Sequence, residues 1–364
     1  TLIRSGLTLA LETRRAAGQA WRYSLLETFT LSAGFGLGVV FVAAGGLGAA
    51  GPFAGMALAA GLALLIDAPV LLSKSRRDRA DAQRAAALFA YGAPVAISLI
   101  FEHLLSVGDR FVIAAFLGEA ATGAYAAGYA VADRSLSIVF LWLGTTTGPL
   151  LVAALEHNGP AEAKQVARNT AGLMALIGFP AAAGLALVSG DAARLLIGAD
   201  LAGEAAAIIP FIALSGLMNG LMTFYFHEAY ILGRRPRAMA AIMAGAAALN
   251  LGLNLILTPR LGLAGAALAT VIAYGAALAV CAVHGRGAFA LPVPVKSWTG
   301  AALATAAMAA ALIGLPAPEA ALPALIARIS TGALVYAAAA LALNVNGCRD
   351  FVASRLGAMR EARA

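Results

Sequence analysis

The chain has 364 residues, of which 61% are hydrophobic and only 12% are charged, and its net charge is +7. Soluble globular proteins carry about a quarter of their residues as charged types, so this composition excludes that class. Apolar runs of about 20 residues recur along the whole sequence and indicate a polytopic membrane protein, in which the excess of basic residues reports orientation rather than nucleic-acid binding.

The sequence predicts an all-α transmembrane bundle with about ten spans. A basic segment, 1–22, is expected to lie at a membrane surface, and a basic tail, 346–364, to form an amphipathic surface helix. The spans are predicted at about 23–43, 52–72, 87–107, 121–152, 169–189, 205–232, 238–257, 262–284, 297–315 and 322–344. Three interruptions are expected: a charged corner at Asp109-Arg110 that ends the third span, Gly148-Pro149 at the end of the fourth, and a break at Pro180 in the fifth.

The distribution of Lys and Arg predicts the orientation. Alternate connectors, together with both chain ends, hold 20 of the 25 Lys and Arg residues, whereas the opposite connectors hold only Arg110, Arg194 and Arg260. Because cytoplasmic loops are enriched in Lys and Arg, both ends are predicted to be cytoplasmic. Small residues, including 40 glycines, dominate the apolar runs and favour close helix packing.

The connectors and motifs argue against an enzyme. The connectors on the predicted outer side are too short for a catalytic domain, and the sequence has no phosphate-binding P-loop, HExxH motif or nucleophile elbow. Cys281 and Cys348 do not have a metal-ligand spacing, and the histidines are scattered, so no metal or cofactor is predicted. The GTTTG cluster at 144–148 resembles a filter sequence, but packing is the simpler interpretation.

Two ordered blocks carry a family resemblance. YGAPVAISLI, about eight residues, and GDRFVIAAFLGEAATGAYAAGY combine Pro94, Asp109, Arg110, Leu117, Gly118, Gly123, Tyr125 and Tyr129. The second block, at 233–274, combines Asn250, Asn254, Pro259, Gly262, Gly265 and Ala266. Together with RRAAGQAWRYSLLE at 14–27, they resemble the polysaccharide-biosynthesis and O-antigen flippases of the multidrug/oligosaccharidyl-lipid/polysaccharide exporter superfamily.

That resemblance implies two helical lobes with 12 to 14 helices in total. Ten spans that begin without Met would match a chain that lacks about the first four helices. Residues 1–84 would then be the last part of the first lobe, 85–345 the second lobe, and 346–364 a cytoplasmic tail. The resemblance also implies that the protein resides in the bacterial inner membrane.

The expected function is translocation of a lipid-linked oligosaccharide, such as an O-antigen precursor for lipopolysaccharide, by alternating access. The partners implied are a polyprenyl-pyrophosphate glycan, the lipid bilayer and other membrane proteins of polysaccharide assembly. Three alternatives stay open: a cation-coupled multidrug antiporter of the same superfamily, a membrane-embedded glycosyltransferase or polymerase, and a non-transporting scaffold. Acidic cavity residues would favour the antiporter, and a large outer loop with carboxylates would favour the enzyme.

The first candidate site residues lie in the predicted fourth span. Tyr125, Tyr129 and Asp133 are spaced by four residues and are expected to share one helix face, with Arg134 about 100° away around the helix. Arg134 would lie near the bilayer midplane, where a cation needs a counter-charge or a wet cavity. Two interpretations are open: Arg134 binds the pyrophosphate of the substrate, or it forms a structural pair with Asp133 or another carboxylate.

Other charged positions are weaker candidates for the same cavity. Arg110 is expected at a helix end, where its side chain could extend to the membrane interface instead. Glu102 and His103 could line the cavity, couple a proton or form hydrogen bonds between helices. Asp67 is expected close enough to the cytoplasmic surface to reach water.

Overall fold

The computed structural model describes residues 2–16, 19–74, 82–314 and 320–361. Throughout these ranges the regular secondary structure is helical, which confirms the predicted all-α class. The helices are α1 Leu2–Ala16, α2 Ala20–Ala43, α3 Gly51–Lys74, α4 Ala82–Leu117, α5 Glu119–Asn158, α6 Pro160–Leu187, α7 Ser189–Leu196, α8 Ala199–Leu221, α9 His227–Leu232, α10 Pro236–His284, α11 Val295–Ile313, α12 Ala321–Ala342 and α13 Cys348–Glu361.

Eight of the described helical stretches are long and apolar enough to cross a membrane, so the chain is a multi-pass membrane protein. Eight stretches are compatible with ten predicted spans because α10 counts as one stretch but contains two of those spans. With 49 residues, α10 would extend about 73 Å if it were straight, which is far more than one membrane crossing needs. Gly262, at φ 63° and ψ −143°, interrupts it, and the two arms fold back on each other. The predicted span that is not among the eight is the ninth, 297–315, which corresponds to α11; the first turns of α11 contain Lys296, Ser297 and Thr299 and are less apolar.

Two predicted helix ends were wrong. Helix α4 continues through Asp109-Arg110 to Leu117, and the chain turns at Gly118, which has φ 87°. Helix α5 continues through Pro149 to Asn158 and ends at Gly159, which has φ 84°. A charge does not stop a helix when its side chain finds partners, and one proline removes only one backbone donor; a glycine with positive φ does redirect the chain.

Pro180 was also expected to break its span, but it lies inside the continuous helix α6. Pro180 has no backbone N–H to offer the Leu176 carbonyl, which instead accepts a hydrogen bond from the Tyr336 hydroxyl at 2.6 Å, and α6 continues to Leu187. The basic tail is helical as α13, as predicted.

The chain divides into two compact units, Thr1–Ala85 and Ala86–Ala364. In the first unit, α2 and α3 approach so closely that a Cβ added at Gly55 would lie 2.3 Å from the backbone nitrogen of Gly38. Small residues permit this approach, as the sequence predicts.

A buried ion pair attaches α1 to α3 within the first unit. Arg14 Nη2 lies 2.5 Å from Asp67 Oδ1, and each residue is only 4% exposed. Arg14 Nη1 also donates a hydrogen bond to Gln19 Oε1 at 2.6 Å. The expectation that Asp67 reaches water is therefore wrong, because the carboxylate is satisfied by Arg14 rather than by solvent.

In the second unit, α5 packs between α6 and α8 around a core of aromatic and small residues. A Cβ at Gly220 would lie 2.3 Å from the Phe140 ring, and one at Gly144 would lie 2.0 Å from the Phe224 ring. Gly144 of the GTTTG cluster thus serves packing. Helices α11 and α12 attach to α6 through hydrogen bonds from Trp298 Nε1 and Tyr336 O–H to backbone carbonyls of α6, at 3.0 and 2.6 Å.

The segment Met222–Phe226 between α8 and α9 is a π-helix. A π-helical turn inserts one extra residue into an α-helix and is found mainly at functional sites. Here the turn brings Thr223 toward α4.

Candidate functional site

A buried carboxylate, Asp109, joins three helices of the second unit. Asp109 on α4 is fully buried, and its Oδ2 accepts a hydrogen bond from the Tyr125 hydroxyl on α5. Thr270 Oγ1 on the second arm of α10 lies 3.4 Å from the same oxygen and 3.1 Å from the carbonyl oxygen of Ala266, so its single hydrogen can serve either acceptor. Asp109 Oδ1 has no hydrogen-bond partner in the described part of the chain.

A ladder of amides and hydroxyls extends from Thr270 along the first arm of α10. Asn250 Nδ2 donates to Thr270 Oγ1 at 3.3 Å, because the turn at Gly262 places the two arms of α10 side by side. Residues 250, 254 and 258 share one helix face by their spacing. Asn254 Nδ2 donates to Asn250 Oδ1 at 3.2 Å, and the Thr258 hydroxyl donates to Asn254 Oδ1 at 3.2 Å.

Arg110 lies inside α4 beside this cluster. Its guanidinium carbon is 5.1 Å from the centroid of the Tyr129 ring, within range of a cation–π interaction. The predicted position of Arg110 at a helix end was wrong, since α4 continues for seven residues beyond it. The Tyr125 and Tyr129 rings lie 6.0 Å apart, so the face expected for these two tyrosines is present.

Glu102 contacts the π-helical segment. Its Oε1 accepts a hydrogen bond from the Thr223 hydroxyl at 3.1 Å, and Thr223 also lies 3.1 Å from Asn219 Oδ1. Three roles were left open for Glu102, and the structure shows one of them, a hydrogen bond between helices. His103, the next residue, is exposed and is not part of this contact.

Arg134 lies apart from the Asp109 cluster. It is exposed, and it follows the first residue of α5 by 15 positions, about 22 Å along the helix axis. Asp133 is half-buried, and the Ser137 hydroxyl lies 3.5 Å from its Oδ1. Within the described ranges no ion pair involves Arg134, so the pair with Asp133 that was considered as an alternative is not formed.

The described side chains were also compared with the ligand sets that hold metal ions. Among the described residues, no three His, Cys, Asp or Glu side chains are grouped to hold a metal. Around Asp109 and Thr270, Asn250 presents its Nδ2 donor rather than an oxygen, so the described side chains form a hydrogen-bond network and not a set of cation ligands.

Sequence reasoning did not select Asp109, Asn250, Asn254 or Thr270 as site residues. Signals for them were present: an ionisable residue in an apolar run, and two asparagines four residues apart in another. Both patterns mark polar groups that must find partners inside a membrane. Thr270 could not be recognised from the sequence as a partner of Asp109, because 161 residues separate the two.

Comparisons with known proteins place this geometry in context. The fold is similar to that of a solved structure described as lipid II flippase MurJ in an inward closed conformation, with a TM-score of 0.67 and 14% sequence identity. The similarity covers 91% of this chain and 68% of the other. No curated protein sequence matches this chain. A family model described as polysaccharide biosynthesis protein matches residues 20–203, just over half of the sequence. The chain therefore belongs to the polysaccharide biosynthesis protein family.

Proposed function

We propose that this protein is a flippase that moves a lipid-linked oligosaccharide or polysaccharide precursor across the bacterial cytoplasmic membrane by alternating access. Its family and its flippase-like fold support this function. The observation that carries it is Arg134: an exposed guanidinium, unpaired among the described residues, about 22 Å along a membrane-spanning helix. A cation at that depth needs water or an anion, and the pyrophosphate of a transported headgroup would supply the anion.

In this proposal Arg134 binds the pyrophosphate that links the glycan to its lipid. A guanidinium offers two parallel N–H donors to two phosphate oxygens, which an ammonium cannot do. Asp133, on the same turn, is half-buried, whereas Arg134 is exposed and available to a ligand.

The Asp109 cluster has a different role in the same proposal. Because it connects α4 to α5 and to both arms of α10, these helices would move as one body when the substrate site changes access. The expected orientation, with both ends in the cytoplasm, would make the α3–α4 connector and the start of α10 cytoplasmic.

The test is complementation of a flippase-null strain by Arg134→Ala and Arg134→Lys, measured as surface glycan per membrane-inserted protein. We expect Arg134→Ala to reduce translocation at least tenfold, the consequence of losing one charge-assisted contact of about 1.5–3 kcal/mol. Arg134→Lys should retain part of the activity because it preserves charge but not the bidentate geometry.

Arg349→Ala is the matched control, since Arg349 is an exposed arginine on α13, outside the candidate site. It should transport at the parental rate. Parental activity in both Arg134 variants would rule out the pyrophosphate role.

A further inference from the structure

A basic pocket lies where α4 begins and where α9 is followed by α10. Its volume is about 520 Å³, and it is lined by Tyr91 of α4 and by Arg234, Arg235, Pro236 and Arg237, with alanines completing the wall. None of the described residues that line it is a carboxylate. This end of the second unit is the one predicted to face the cytoplasm.

Arg234 adopts a backbone conformation that is unfavourable for an arginine. Its φ is 52°, in the left-handed region, and its backbone N–H donates to the Ile231 carbonyl at 3.1 Å as the preceding helix ends. Glycine or asparagine usually occupies this position, because a Cβ there crowds the backbone. Gly233 is adjacent, yet it has φ −80° and does not use the freedom of glycine.

Arg235 and Arg237 are placed unfavourably as well. Arg235 is the N-cap of α10 and Arg237 lies in its first turn, where the helix dipole presents positive charge. That first turn contains no acidic residue, and the N-cap makes no side-chain hydrogen bond. Two cations at the positive end of the first arm of α10 therefore repel both the helix dipole and each other.

No compensating anion is provided by the described part of the chain. Ion pairs between these three arginines and described carboxylates are not formed. The positive-inside rule explains why a connector is basic, but it would be satisfied by arginines at any exposed position. It does not explain a left-handed arginine, or three arginines within four positions that all line one pocket.

We propose that this pocket binds a phosphate or diphosphate group presented at the membrane surface. Guanidinium groups match phosphate oxygens in pairs, and the N-terminus of a helix is itself favourable for phosphate. An anion between the three arginines would remove their mutual repulsion, and the Tyr91 hydroxyl would add a donor. The proposal concerns binding alone and does not depend on the transport function or on Arg134.

The experiment uses the full chain in nanodiscs of zwitterionic phosphatidylcholine. Geranylgeranyl diphosphate, dioleoylphosphatidylglycerol and inorganic pyrophosphate are titrated separately, and bound ligand is counted by native mass spectrometry. Binding of the first identifies a diphosphate lipid, of the second a bulk phospholipid, and of the third a free anion. Binding of any of the three at the arginines supports the shared phosphate chemistry.

The key variant is Arg234→Gly, which removes a guanidinium and relieves the left-handed strain together. It should raise the thermal unfolding midpoint and weaken binding about tenfold, whereas a merely structural arginine would change stability alone. Arg235→Gln and Arg237→Gln should each weaken binding about tenfold, and the triple variant at least 100-fold.

Arg349→Gln is the matched control, because it removes one exposed charge at the same predicted face but outside the pocket. It should bind within about twofold of the parent. The proposal is overturned if the parent binds none of the three probes, if the triple variant binds as well as the parent, or if Arg349→Gln loses as much affinity as Arg234→Gly.

Discussion

The substitution Tyr125→Phe tests whether the Asp109 cluster holds the second unit together. The change removes only the phenol oxygen, and with it the hydroxyl that donates to Asp109 Oδ2. Tyr125 is fully buried, so water has no direct path to replace the lost donor. The ring and its contact with Tyr129, at 6.0 Å, are retained.

The expected loss follows from what remains around the carboxylate. The nearest other side-chain donor is Thr270, at 3.4 Å, and the Ala266 carbonyl competes for its hydrogen. A hydrogen bond to a charged group contributes about 1.5–3 kcal/mol, so we expect the free energy of unfolding to fall by about 2–3 kcal/mol.

Tyr225→Phe is the matched control. Tyr225 is equally buried, but its hydroxyl donates to a neutral acceptor, the carbonyl oxygen of Pro292, at 2.5 Å. A hydrogen bond between neutral groups contributes about 1 kcal/mol, so this variant should lose roughly half as much stability or less.

The assay is reversible unfolding in mixed micelles, followed by circular dichroism, for the two single variants and for a cycle with Asp109→Asn. We expect a coupling free energy of at least about 1 kcal/mol between positions 109 and 125, because the partners are in direct contact. A loss in Tyr125→Phe no greater than in Tyr225→Phe, together with a coupling near zero, would refute the reasoning.

Two further substitutions test packing and charge. Arg14→Ala should destabilise the first unit by about 3–5 kcal/mol in the same unfolding assay, because it leaves the Asp67 carboxylate buried without its partner. Replacing both residues by Leu should restore most of that loss; a double variant as unstable as Arg14→Ala would contradict this. Gly220→Ala should cost about 1–3 kcal/mol, since the new methyl group would lie 2.3 Å from the Phe140 ring. Gly245→Ala, where the methyl group meets no atom within 4 Å, should instead stabilise the helix by about 0.5–1 kcal/mol, and equal effects at both glycines would argue against the packing.

The helical architecture could be predicted from the sequence because its signals are local. Apolar runs of span length identify the helices, and Gly262 lies at the predicted boundary between two spans, where its positive φ turns the chain. The shared face of Tyr125 and Tyr129 also follows from local spacing.

The misplaced end at Asp109-Arg110 and the wrong environment predicted for Asp67 have one physical origin: the cost of a buried charge is local in the sequence, but the partner that compensates it is not. Asp109 was interpreted as a corner because a carboxylate in an apolar run needs water or a partner, and its partners are 16 and 161 residues away. The same holds for Arg14 and Asp67, which are separated by 53 residues. Only the folded chain shows whether such a charge reaches water or a partner side chain.

The candidate site was predicted in part. Arg134 lies exposed on a membrane-spanning helix, as expected for a substrate contact, but its role stays a prediction. Glu102 could be suspected from its charge, whereas its contact with Thr223 depends on a π-helical turn for which the sequence carries no local signal.

That π-helical turn also affects how related sequences should be aligned. One inserted residue shifts the phase of everything after it by about 100°. The phase after Phe226 places the Tyr230 ring against His284, with the rings nearly parallel and 5.9 Å apart. A relative with an uninterrupted α-helix here would have one residue fewer between Leu221 and His227, and its equivalent aromatic residue would occur one position earlier. An ungapped alignment would therefore pair the wrong residues throughout α9.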